Sequence, residues 1–312
     1  MNGGYFFGLV WCGSGILNGS ISYGTLTAVL QLIGQIQQPF ANVTSYLPKY
    51  YAMLASAERL CELESLDEDN CGQNAMTQAE ADELYSRLDS IELKKVTFSY
   101  PNNDRINEPV LENAEISISK GDFTAIMGQS GIGKSTMLKL LLAVYRAEKG
   151  EINFIEKNGN KFPVNSQSRR MFAYVPQGNF LMSGTIEKAV CFMGDNPDRK
   201  KLISACKIAC ADEFIENLPQ KYDTIIGEKG SGLSEGQIQR IAIARAVYSD
   251  APILLDEATS ALDELTEERV LKNLKEMTDK TVIIVTHRKA ALNVCNKIIT
   301  LHNGKFIKAK EK

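Results

Sequence analysis

The sequence predicts an α/β domain of alternating strands and helices, preceded by a transmembrane α-helix. Two observations carry this. From Met1 to Pro48 there is no Asp, Glu, Lys or Arg, whereas from Lys49 onward charges are dense. From Ile91 on, short β-rich runs alternate with helical ones, the pattern of a sheet covered by helices.

The 312 residues allow one large domain or two ordinary ones. A net charge of −3 gives no reason to expect a nucleic-acid partner. Seven cysteines without regular spacing argue against a disulfide framework and fit a reduced compartment. Cys206 and Cys210 fall on one helix face. Two such ligands without a nearby His or third Cys make a poor metal site, so they read as buried small apolar residues.

The uncharged leader belongs in a bilayer. It lacks the basic start of a signal peptide and runs too far for one. Tyr5 to Leu17 would be a helix of roughly 20 Å against a hydrocarbon core of about 30 Å, too short to span. It reads as the end of a helix whose beginning is absent, and the chain as a fragment. Asn18 to Gly24 reads as a turn, and Thr25 to Leu47 is long enough to cross. Leu26, Val29, Leu30, Ile33, Ile36 and Phe40 form an apolar face at helical spacing, for lipid or neighbouring helices. Thr27, Gln31, Gln35, Gln38, Asn42 and Ser45 form a polar uncharged stripe. Amides are costly in lipid, so the stripe belongs against protein or a watery cavity, as helix-to-helix hydrogen bonds or as substrate lining. Lys49 and Arg59 put the segment after this helix on the cytoplasmic side. Ala57 to Ser90 is an acidic, helix-prone connector centred on Asp67, Glu68 and Asp69, and reads as a solvated linker. The expected division is 1–60 for the membrane end, 61–90 for the linker and 91–312 for the α/β domain.

In that domain, Phe123 to Met127 is a strand, followed by GQSGIGKST and a helix beginning near Lys134. This is the context a phosphate loop requires, which makes the domain a P-loop NTPase. Gly128, Gln129, Ser130, Gly131, Ile132, Gly133 and Thr136 supply the cradle, Lys134 reaches the terminal phosphates, and Ser135 ligates Mg²⁺. Three further strands end in polar residues: Phe172 to Val175 before Gln177, Ile253 to Leu255 before Asp256 and Glu257, and Val282 to Thr286 before His287. Ligands of open α/β sheets bind outside the carboxyl ends of strands, so these residues together make a hydrolytic site. Asp256 holds the Mg²⁺ shell, Glu257 is the base for the attacking water, and His287 bonds the γ-phosphate. Gln177 reaches Mg²⁺ or water and senses the nucleotide. Tyr100 offers an aromatic face for adenine.

GLSEGQIQR, Gly232 to Arg240, is a second phosphate-facing helix start in a chain that already has one. With it, the chain resembles the ATP-binding-cassette (ABC) transporters of the exporter type from about Gly4 to Lys308. The elements are the aromatic loop at Tyr100, GQSGIGKST, YVPQ ending at Gln177, LSEGQ, ILLDEATSALD and THR ending at Arg288. The SGTI run from Ser183 to Ile186 and LPQKYDTIIGE from Leu218 to Glu228 are also similar to exporter runs. The second of these implicates Glu228 in contact with the membrane domain. The resemblance implies an ABC cassette with a helical subdomain, using ATP and Mg²⁺. It also implies a head-to-tail dimer in which Ser234, Glu235, Gly236 and Gln237 serve the ATP of the other subunit, with Asp263 in the loop at the dimer contact. The partner would be a second exporter half, with identical halves slightly favoured. The site would be the cell membrane, crossed several times in contact with lipid, with the cassette in the cytoplasm and a drug, lipid or peptide as cargo. Other readings are a truncated product that only binds ATP, and a soluble cassette ATPase acting on nucleic acid or ribosomes. Two positions depart from the family pattern. Glu235 replaces the first glycine of LSGGQ and is expected to point away from phosphate. Pro252 stands four positions before Asp256, where the strand would otherwise begin.

Overall fold

The computed structural model describes residues 2–65, 75–100, 109–178, 181–192, 197–227, 230 and 232–311. Asp67, Glu68, Asp69 and Glu228, and the side chain of Ser45, lie outside the described residues. The chain divides into two compact units, residues 1–68 and 69–312.

The first unit holds α1 (Asn2–Leu17) and α2 (Tyr23–Glu64). Ser22 caps α2, its side chain accepting from the Thr25 N–H. α2 is 42 residues long and carries Pro39 and Pro48 within it, so the helix continues well past Leu47. α1 packs on the apolar face of α2. A Cβ added at Gly8 would lie 2.7 Å from Ile33 Cδ1, with Val29 and Leu30 next nearest. Among the described residues, no helix is long and apolar enough to cross a membrane. Gln31, Gln35, Gln37, Gln38 and Asn42 dilute the apolar run on which the expected crossing at Thr25–Leu47 rests.

The second unit begins with α3 (Gln78–Arg87), inside the stretch expected to be a linker. Thr77 and Glu80 close a capping box at its start, and Ala81, Leu84 and Tyr85 are buried in the core with the strands. An antiparallel sheet follows in the order β2-β1-β4-β5, built from β1 (Leu88–Phe98), β2 (Leu111–Ser119), β4 (Lys149–Glu156) and β5 (Lys161–Pro163). The larger sheet has the order β12-β11-β3-β10-β9-β6. Its members are β3 (Phe123–Met127), β6 (Ala173–Val175), β9 (Ile253–Asp256), β10 (Val282–Val285), β11 (Lys297–His302) and β12 (Lys305–Glu311). All neighbours in it are parallel except the β11–β12 hairpin. β9 and β10 are buried at every position, as parallel strands covered on both faces must be. Pro252 sets the start of β9 at Ile253, and its carbonyl accepts from the Ala173 N–H at 2.8 Å.

α4 (Lys134–Leu141) follows β3, and a helical layer is formed by α5 (Ile186–Val190), α6 (Arg199–Ile208), α7 (Asp212–Ile215) and α8 (Glu235–Tyr248). α9 (Glu264–Lys275) and α10 (Lys289–Val294) complete the unit. Cys206 and Cys210 are both buried with free thiols, and burial pushes the Cys206 thiol up to about 12. The two exporter-like runs meet in a short ladder, β7 (Gly184–Thr185) pairing with β8 (Ile225–Ile226).

Candidate active site

The parallel pairings put Ile126 of β3 beside Val285 of β10, Val285 beside Asp256 of β9, and Leu255 beside Val175 of β6. The residues after these four strand ends therefore emerge along one edge of the sheet. They are the phosphate loop, His287, Glu257 and Gln177. Four separate segments, far apart in sequence, are brought together by strand order alone.

The phosphate loop turns at Gly128, whose φ is 152°. A side chain there would also meet the Leu301 carbonyl at 2.7 Å, so only glycine fits. Lys134 is 5% exposed, and its Nζ donates to the carbonyls of Gly128 at 2.9 Å and Gln129 at 2.8 Å. Burial lowers its affinity for a proton, while Glu257 and Asp256 act the other way. The ammonium is thus held over the loop that would receive phosphates.

Asp256 is 3% exposed. It accepts from Ser135 Oγ at 2.9 Å and from Tyr174 OH at 3.2 Å. Burial raises its pKa, and the two hydrogen bonds oppose that. Burial, with Asp256 close by, raises the pKa of Tyr174, so the phenol remains a donor. Tyr174 lies on β6 and was not singled out from the sequence, because a tyrosine inside an apolar run reads as core.

Glu257 stands at φ 50°, a left-handed conformation that costs a non-glycine residue about 1–2 kcal/mol. Such strain persists where the surroundings over-determine it. Here the Glu257 N–H is bonded to the Val285 carbonyl at 3.0 Å. Its carboxylate accepts from Gln177 Nε2 at 2.9 Å and lies 3.8 Å from His287 Nε2. Gln177 is therefore turned toward Glu257. Tyr100 sits edge-on to Phe98 and Tyr145, with centroids 5.1 and 5.3 Å away, and its hydroxyl is 2.8 Å from Thr136 Oγ1. That bond ties the aromatic residue to the phosphate loop.

The signature segment opens α8. Ser234 is the N-cap, with a capping box in which Ser234 Oγ accepts from the Gln237 N–H and Gln237 Oε1 from the Ser234 N–H. Ser234 and Glu235 are exposed. Gly236 faces the 258–263 turn, where a Cβ would lie 2.9 Å from the Ala261 carbonyl. Asp263 caps α9, accepting from the Thr266 N–H at 2.9 Å, and that bond lowers its pKa.

Among the described residues no cluster of three or more His, Cys, Asp or Glu could hold a metal ion. The paired Ser135 hydroxyl and Asp256 carboxylate nevertheless fit Mg²⁺, which takes one or two protein oxygens and completes its shell with water and substrate phosphates. A groove of about 930 Å³ lies elsewhere, along Lys94, Lys95, Glu115, Lys149 and Phe306, and none of the site residues lines it.

Residues 111–260 match the ABC transporter family. The chain is 34% identical over 299 residues to the lactococcin-G-processing and transport ATP-binding protein of Lactococcus lactis subsp. lactis, covering 95% of this chain and 41% of that protein. It is 36% identical to the alpha-hemolysin translocation ATP-binding protein of Escherichia coli O157:H7, with the same coverage. It is 33% identical to the ATP-dependent lipid A-core flippase of Photobacterium profundum, covering 96% of this chain and 50% of that protein. The structure of a bacterial Atm1-family ABC exporter with ATP bound aligns with a TM-score of 0.68 and 28% identity, over 96% of this chain and 51% of that one. The chain thus spans half or less of the length of these curated relatives. The family match falls on the phosphate loop, Gln177, the signature and Glu257, and the alignments to such transporters run over nearly the whole chain. The chain therefore belongs to the ABC transporter family.

Proposed function

We propose that this chain is the ATP-hydrolysing end of an ABC exporter half, working as a head-to-tail dimer that couples hydrolysis to export of a drug, lipid or peptide. Residues 1–60 would be the end of the membrane domain, and the compact unit that includes α3 and the strands from Leu88 onward the cassette in the cytoplasm. The observation that carries the reading is the row of four strand ends, with Lys134, Ser135 and Asp256, Glu257, Gln177 and His287 gathered on one sheet edge.

The geometry supports the following roles. Lys134 would exchange the carbonyls of Gly128 and Gln129 for the terminal phosphate oxygens. Backbone N–H groups of Gln129 to Thr136 would cradle the rest. Tyr100 would hold the adenine. Ser135 and Asp256, joined by Gln177, would hold Mg²⁺, which when bound polarises the phosphates as a Lewis acid. Glu257 would take the proton of the attacking water as the new P–O bond forms and the bond to ADP breaks, and His287 would hold the γ-phosphate. The exposed Ser234 hydroxyl, the Gly236 N–H and the Gln237 side chain would meet the partner subunit's ATP, with Glu235 turned away from phosphate and Asp263 at the dimer contact.

Two variants test this together. Glu257→Gln should bind ATP normally, lose about 10²–10⁴ in turnover and accumulate an ATP-bound dimer on sizing. Lys134→Ala should lose affinity for labelled ATP, because a charge-assisted contact is gone. Near-native hydrolysis by the first, or unchanged affinity in the second, would overturn the assignment.

A further inference from the structure

Glu267 is a carboxylate that no step above uses, yet it is only 1% exposed. It lies in the first turn of α9. A charge is kept in such a place only when its oxygens are bonded. Thr259 Oγ1 donates to Glu267 Oε1 at 2.7 Å, and Arg288 Nη1 to Glu267 Oε2 at 2.7 Å. The same guanidinium continues to two carbonyls, from Nη1 to Leu262 O at 3.0 Å and from Nη2 to Ser260 O at 2.6 Å. Its own N–H is fixed on Thr286 Oγ1 at 3.0 Å. One arginine, anchored on a buried carboxylate and adjacent in sequence to His287, therefore holds the turn between Glu257 and Asp263.

The signature helix holds that turn from the other side. Gln239 is 4% exposed, donates to Ser260 Oγ at 3.2 Å and accepts from the Ala261 N–H at 3.0 Å. Gly236 lets α8 approach the Ala261 carbonyl. The turn between Ala258 and Leu262 has two backbone bonds of its own, from the Ser260 N–H to the Glu257 carbonyl and from the Leu262 N–H to the Thr259 carbonyl, both 3.1 Å, and the side-chain contacts fix it to the elements around it. Arginine suits the task because its planar fork meets several acceptors at once, which a lysine cannot do.

We propose that Glu267 and Arg288 are positioning residues. They lock the turn against the His287 strand end and the signature helix, so that the part of the chain serving its own ATP and the part serving its partner's ATP are mechanically joined. This rests on the roles given above to Glu257, His287 and Ser234.

The test uses the full chain with Glu267→Gln, Arg288→Lys, Arg288→Met and the Glu267→Gln/Arg288→Met double variant. Arg288→Lys keeps the cation opposite Glu267, so it reports even if a variant that removes the charge fails to fold. Each single variant should lose about 10–100-fold in turnover, the scale of a small misplacement of reacting groups. Affinity for a non-hydrolysable ATP analogue should be unchanged, and amide exchange across 258–263 should quicken. The double variant should turn over no more slowly than its slower parent, because the clamp is already open in each. Native turnover in Arg288→Lys, parallel loss of ATP affinity, or multiplied losses in the double variant would each overturn the proposal. If the native chain hydrolyses no ATP, the catalytic reading fails. The amide-exchange comparison would still decide whether the clamp exists, and unaltered exchange would sink it.

Discussion

Lys280 is a residue whose protonation is set by its surroundings rather than by its own chemistry. Its side chain is 10% exposed, and its Nζ is bonded to the Ser249 carbonyl at the end of α8, with Asp250 at 3.9 Å. Burial drives its pKa down from 10.5 to about 8, with Asp250 opposing and Lys201 adding to the shift. Between about pH 8 and 10.5 the unfolded chain keeps a proton that the folded chain has released, so stability rises with pH across that window. Below pH 8 both states are protonated, and the cost of burying the ammonium is present in full. Lys280→Met removes this titration. The melting temperature of the native chain relative to Lys280→Met should therefore increase from about pH 8 to about pH 10, and parallel curves would show that Lys280 titrates as an ordinary lysine. Nothing in the sequence marks this lysine, since a lone lysine between a helix and a strand reads as solvated.

At the scale of elements, α3 shows how local and tertiary signals divide. Thr77 and Glu80, at the spacing of a capping box, announce a helix start, and the helix is there. That it belongs to the cassette rather than to a solvated connector depends on Tyr85. Its hydroxyl donates to the Asp279 carbonyl at 2.8 Å and accepts from the Thr281 N–H at 3.0 Å. Lys120 Nζ bonds the Tyr85 and Ser86 carbonyls and lies 4.6 Å from the Tyr85 ring centroid. These contacts sit where β3 and β10 begin, at the end of the sheet opposite the phosphate loop. Tyr85→Phe leaves the buried Thr281 N–H and the part-buried Asp279 carbonyl without their partner, which should cost about 1–3 kcal/mol in denaturant unfolding. ATP affinity should not change, because the strand ends that carry the site are untouched. A stable Tyr85→Phe cassette would mean that α3 is held by apolar packing alone.

For the whole molecule, the two phosphate-facing helix starts ask which ATP each one serves. Ser234→Arg should spare ATP binding in a single chain and block pairing. Lys134→Ala should abolish binding in its own loop. In a mixed dimer of the two variants, one composite site carries both defects and the other carries neither. Some hydrolysis should therefore return when the two are combined. No recovery in verified mixed dimers would count against sharing. Glu235 is exposed at the start of α8, where an acid suits the helix dipole. Glu235→Gly should keep or raise activity in the same assay.

The α/β class, the phosphate loop and the residues at three further strand ends were legible in the sequence, because each depends on local rules: a glycine loop between strand and helix, an apolar run ending in a polar residue, a capping serine. The tertiary structure alone decided what those rules cannot reach. It set the strand order that lines up the ends, the choice of Glu257 as the partner of Gln177, the bond from Tyr174 to Asp256 and the burial of Glu267 beneath Arg288. The bond from Tyr174 to Asp256 alone joins residues 82 positions apart. The energy of such contacts comes from excluding water and satisfying polar groups at once, which a one-dimensional pattern does not encode. For α2, the absence of charge pointed to a membrane, and among the described residues no helix is long and apolar enough to cross one.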